Sequence, residues 1–181
     1  MQQTGVAMLA TWQTFYVILG SAAATLTGLM FIVITLMAGA RIRVSTAYLG
    51  ISAFNTPTVV HFCAVLLIAA ILCVPWQALW NVSLVLGLSA VGGVVYVVTT
   101  VPQMRRMTDY QPKVNDWVWY FSIPLILYAA LVVAALALPG NPAPALYAIG
   151  ATTVLFLFTG IHNAWDLVTY LAVELSHPES E

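Results

Sequence analysis

Polar residues are so sparse along this chain that its interruptions stand out before its elements do. No charged residue occurs between Met1 and Ala40, and the strongest apolar run covers Leu9 to Ala40. Beyond it, apolar stretches are broken only at Arg41 to Ser45, at Pro75-Trp76, from Pro102 to Asn115, and through Pro139-Gly-Asn-Pro-Ala-Pro144. The prolines in these breaks remove backbone donors and stop helices. The lengths between breaks predict five helical spans, at about 9–38, 48–74, 77–101, 116–138 and 145–172. Each exceeds the roughly 20 residues needed to cross a bilayer. The first would reach ~40 Å as one helix, so tilt or a protruding end is expected. The fold class is an all-α integral membrane protein, with residues 1–181 forming a single transmembrane helical bundle.

Composition agrees, with 62% hydrophobic and 6% charged residues and a mean hydropathy of +0.97. Apolar content on this scale marks polytopic membrane proteins. The first span is not a secretory signal, which needs a positive n-region and a shorter apolar core, so it is expected to remain in the mature protein. The net charge of −1 says nothing about nucleic acid, and with no basic stripe beyond two short loops that class of partner is discarded. Cys63 and Cys73 fall in one predicted helix about 15 Å apart, too far for a disulfide, and read as two buried thiols acting as small hydrophobes. No internal repeat of the kind that builds inverted-repeat transporters is visible.

Charge changes the picture by giving the bundle a direction. All five basic residues, Arg41, Arg43, Arg105, Arg106 and Lys113, fall in the first and third loops. The positive-inside rule makes that side cytoplasmic. The N-terminus is then outside and the segment from Glu174 to Glu181 inside, for a multi-pass protein of the cytoplasmic cell membrane in contact with its lipids. Trp12, Trp76, Trp80 and Tyr147 would form the outer aromatic belt, and Tyr48, Tyr110, Trp117, Trp119 and Tyr170 the inner one.

Within the spans, small residues recur at Gly20, Ala24 and Gly28, with Ser21 and Thr25 beside them. Such spacing lets helix backbones approach closely in lipid, where no hydrophobic force draws helices together. It predicts a tight contact, either within the chain or with a neighbouring subunit. Gly87, Ser89, Gly92 and Gly93 offer a similar surface on the third span. Pro57 and Pro124 should kink the second and fourth spans, as structural bends or as hinges.

The chemistry concentrates in the fifth span. Thr159, His162, Asn163, Asp166 and Tyr170 advance by three or four residues and so share a helix face. An aspartate at the bilayer centre costs about 3 kcal/mol, so that face should turn into the bundle. Helix rise places His162 about 5 Å and Asp166 about 11 Å to the cytoplasmic side of the centre, with His61 at a depth like that of His162 and Asn55 near that of Asp166. Three readings follow: a polar cluster that fixes packing; a proton or cation path lined by His61, His162, Asn163 and Asp166; or ligands for Zn, Mn, non-haem Fe or haem supplied by His61, His162 and Asp166. Three ligands inferred across two helices are a thin signal, and no metal or cofactor is expected. Signatures of hydrolases, metalloproteases and nucleotide-binding enzymes are missing, so no catalytic residues are assigned.

The pattern Trp12-x-x-Phe15, then Gly20-Ser-Ala-Ala-Ala24-Thr-Leu-Thr-Gly28-Leu-Met-Phe31-Ile-Val-Ile-Thr35, with Asn163-Ala-Trp165 and Glu174 near the end, resembles a family of small polytopic bacterial membrane proteins. Some of its members are labelled modulators of the FtsH membrane protease. The likeness covers the first and last spans, and His162 and Asp166 depart from the family's pattern. It implies a bacterial cytoplasmic membrane and a role exerted through protein partners. With short loops, most surface able to meet a partner lies in the membrane. The expected function is that of a non-enzymatic membrane protein acting as an oligomer or as an accessory subunit of a larger membrane complex. The alternative is a proton- or cation-conducting channel lined by the polar face of the fifth helix.

Overall fold

Inside a bilayer no water is present to bond backbone N–H and C=O groups, so a crossing segment must satisfy them within itself. The computed structural model describes residues 2–39, 47–105 and 114–176, and every regular element among them is helical. Helix α1 covers Gln2–Ala10, α2 Gln13–Gly39, α3 Ala47–Cys73 and α4 Leu79–Arg105. A short α5, Val114–Trp117, runs into a π-helical turn, Val118–Ser122, and then into α6, Ile123–Ala137; α7 covers Pro142–Ser176. Four segments are long and apolar enough to cross a membrane: Gln13–Leu36, Leu79–Thr100, Val118–Ala137 and Pro142–Thr169. This is the make-up of a multi-pass membrane protein. Helix α3 has 27 residues, of which Pro57–Cys73 form a shorter apolar stretch.

Packing contacts fix the arrangement. Gly20 of α2 meets Ala69 of α3, where an added Cβ would sit 3.1 Å from that of Ala69. Phe62 of α3 lies against Gly160 of α7, and Tyr128 of α6 against Gly93 of α4, so tightly that a Cβ on either glycine would enter the ring. Helices α3, α7, α6 and α4 follow one another around the bundle, α3 and α4 touch only lightly, and α2 lies outside against α3 and α7. Neighbouring α2 and α3 run antiparallel, as Gln13 near Cys73 shows; so do α4 and α6, tied by a 2.6 Å hydrogen bond from the Ser83 hydroxyl to the Ala135 carbonyl.

One end of the bundle gathers the start of α4 and the start of α7, where Leu79 and Pro142 both meet Gly5 of α1. Trp12 and Phe15 close around Gly150 there, and Trp12 packs edge-on to Tyr147 with ring centroids 4.9 Å apart. The Trp76 indole N–H donates to the Ile71 carbonyl at 2.6 Å, which closes the end of α3. The core holds Tyr16, Phe62, Leu72, Leu86, Leu131, Leu146 and Phe156, all essentially inaccessible. The outside is just as apolar: Ile18, Leu36, Leu88, Val133, Leu136 and Phe158 are 61–74% exposed. A surface of this kind suits hydrocarbon rather than water.

Two expected spans are not single α-helices. The first divides at Thr11-Trp12, where the Thr11 amide and hydroxyl both donate to the Met8 carbonyl, at 3.1 and 2.7 Å, and the Trp12 amide bonds Leu9. These three-residue steps tighten the last turn of α1 and release the chain into α2. The fourth contains the π turn. Pro124 lies in the first turn of α6, directly after the π turn, and α3 continues on both sides of Pro57.

Candidate functional site: the π turn against the last helix

Proline 124 accounts for the π turn in local terms. It has no N–H to offer the carbonyl one turn earlier, and its ring crowds that carbonyl. The chain widens just before it: the Ile123 amide bonds the Val118 carbonyl, five residues back, and the Ser122 hydroxyl donates to the Trp117 carbonyl at 3.2 Å. Single π turns of this kind concentrate at functional sites. Here the result is that consecutive aromatic side chains both reach α7. Trp119 stacks on the His162 imidazole, with centroids 3.7 Å apart and planes inclined by 28°. The buried Tyr120 hydroxyl donates a long 3.5 Å bond to the backbone carbonyl of Asn163.

The predicted polar face divides between interior and rim. Thr159 and Asn163 are buried, at 2% and 0% exposure. His162 and Asp166 flank the seam with side chains 34% and 42% exposed. Their Nε2 and Oδ2 are 3.3 Å apart, an ion-pair separation without the alignment of a hydrogen bond. The expectation that the whole stripe turns inward is therefore corrected. Residues 162 and 163 point about 100° apart on a helix, and the buried line of α7 passes through Phe156, Asn163 and Leu167. Trp119, rather than the bundle interior, shelters His162. Tyr170 and Asn55 have side chains outside the described residues.

His61 is 1% exposed. Its ring lies 6.1 Å from that of Phe156 and nearly parallel to it, so its aromatic neighbour differs from that of His162. Neither nitrogen of His61, and neither the amide nitrogen nor the oxygen of the Asn163 side chain, has a hydrogen-bond partner. Thr153 and Thr159 bond back to the carbonyls of Ile149 and Leu155 at 2.7 and 2.8 Å, the usual recourse of a hydroxyl in a membrane helix. Among the described residues no three His, Cys, Asp or Glu side chains gather as metal ligands would.

The small-residue motif also divides. Gly20 makes its close approach to Ala69 inside the chain, but Ala24 is exposed and a Cβ on Gly28 would meet nothing within 4 Å. Cys63, expected as a buried thiol, is exposed; it lines an apolar groove between α3 and α4 with Leu67, Gly92, Tyr96 and Tyr128. Cys73 is half-buried, its thiol directed at the Gln13 carbonyl 3.9 Å away.

Sequence reasoning assigned Trp119 to an interfacial belt and passed over Tyr120. The signal available was the aromatic run Trp117-Val-Trp-Tyr-Phe121 ahead of Ser122 and Pro124. Comparison of the chain with protein-family models, with curated proteins and with solved structures finds no match.

Proposed function

We propose that this chain is a non-enzymatic integral membrane protein of five spans that works as an oligomer or as an accessory subunit of a larger assembly in a bacterial cytoplasmic membrane. The observation that carries the reading is the outer face of α2. Of the four long apolar segments its window is the least buried, at 22% against 28, 39 and 56% for the others. The face it leaves uncovered includes Ser21, Ala24, Thr25 and Gly28, whose small side chains let a helix from outside the chain approach closely. The resemblance to membrane proteins labelled modulators of FtsH protease, carried by this same helix, points in the same direction. Solubilisation in mild detergent should yield a species well above the 19.5 kDa of one chain, and Gly28→Leu should reduce it to single chains of unchanged helicity. A wild-type protein that runs as a lone chain from native membranes overturns the proposal.

A second reading, conduction of protons or cations along α7, is favoured by the enclosure of His61 and Asn163 beside a rim that carries His162 and Asp166. Ionisable groups within membrane helices often mark such paths. It requires ion flux in liposomes that changes in His162→Ala or Asp166→Ala. Wild-type liposomes without flux remove it.

A further inference from the structure

His61 and Asn163 face one internal seam. Phe156 and Asn163 are seven residues apart on α7, two turns less about 20°, so their side chains leave the helix along nearly one line. The His61 ring stacks on Phe156 at one point of that line. Helix α3 runs antiparallel to α7, with Phe62 seated on Gly160, which brings His61 to within about a turn of the level of Asn163. The two side chains are 1% and 0% exposed and together present four polar atoms, Nδ1 and Nε2 of His61 and Oδ1 and Nδ2 of Asn163, with no hydrogen-bond partner.

Protein interiors rarely leave such groups unmatched, because a buried donor or acceptor without a partner bears its full desolvation cost. The hydroxyls of Thr153 and Thr159 on α7 are committed to their own helix. The missing partner must donate to an imidazole nitrogen and to an amide oxygen, and accept from an amide N–H and from the other imidazole position. It must also be uncharged, since no Asp, Glu, Lys or Arg is among the buried residues described and a buried ion needs a counter-charge.

We infer that His61 and Asn163 form an occluded polar site between α3 and α7 that binds water. Water matches that polarity, and buried waters characteristically bridge two to four otherwise unsatisfied groups. The site is independent of any assembly through α2.

The test is water-edited solid-state NMR of the full chain, labelled with ¹⁵N-histidine and reconstituted in lipid bilayers, with His61 assigned through His61→Phe. The wild-type His61 ring should receive magnetisation from water nearly as fast as the partly exposed His162, which serves as the internal reference. Asn163→Leu should slow that transfer several-fold at His61 and leave His162 unchanged, while Asn163→Ser, which keeps a donor and an acceptor, should retain most of it. Wild-type transfer at His61 many-fold slower than at His162 overturns the inference without recourse to any variant. So does an Asn163→Leu protein whose His61 transfer is unaltered.

Discussion

Glycines 92 and 93 are adjacent in α4 yet answer to different constraints. A Cβ on Gly93 would enter the Tyr128 ring, whereas one on Gly92 would meet nothing within 4 Å. The first is held to glycine by the approach of α6; the second opens on the groove. Gly93→Val should therefore lower stability by about 1–3 kcal/mol through overpacking, while Gly92→Val should be neutral or slightly stabilising because glycine is a poor helix former. Thermal unfolding of the two variants in one detergent separates them. Equal melting temperatures would mean that α4 and α6 do not approach at Gly93 as closely as described. The sequence shows both glycines as one small-residue surface, because a spacing rule cannot say which side of a helix meets a neighbour. The same ambiguity attends Gly20 and Gly28, of which only Gly20 meets another helix of the chain.

At the scale of elements, the helices and their breaks were largely readable: the stops at Pro75 and Pro139 act on the backbone alone, and backbone chemistry is local. The expected 48–74 is α3 at Ala47–Cys73, and the expected 145–172 lies within α7 at Pro142–Ser176. What escaped were the two places where a hydrogen-bond register changes, Thr11-Trp12 and Val118–Ser122. Both depend on which carbonyl a given amide or hydroxyl selects, and hydropathy carries no trace of that choice. The polar stripe was legible as a stripe, but its division into a buried Asn163 and a rim His162 depends on where Trp119 arrives. That position follows from Pro124. Pro124→Ala restores an amide at residue 124, allowing a regular α-helix from Val114 onward, and so should rotate Trp119 away from α7. In the parent protein the indole ring current shifts the His162 ring protons upfield; in Pro124→Ala that shift should largely vanish with helicity unchanged. Retention of the full shift would show that Pro124 does not maintain the π turn.

For the whole molecule, parity links the bundle to the membrane. The start of α4 and the start of α7 meet at one end, where α2 also begins against α7, so α2, α4 and α7 point the same way. Helix α3 runs against α2, and α6 against α4. Arg105 closes α4 at the end opposite Trp12 and Tyr147, and in sequence Arg41 and Arg43 follow α2 while Arg106 and Lys113 lie between α4 and α5. The positive-inside rule predicts that this end faces the cytoplasm. In a background of Cys63→Ser and Cys73→Ser, single cysteines at Gln77 and Asn141, both exposed in connections at the Trp12 end, should react in intact cells with a membrane-impermeant maleimide. A cysteine at Thr108, in the basic connection, should react only after the membrane is opened. The reverse labelling pattern would invert the orientation. Labelling of Gln77 and Asn141 from opposite sides would overturn the proposed five spans, since antiparallel α4 and α6 begin and end at one end of the bundle.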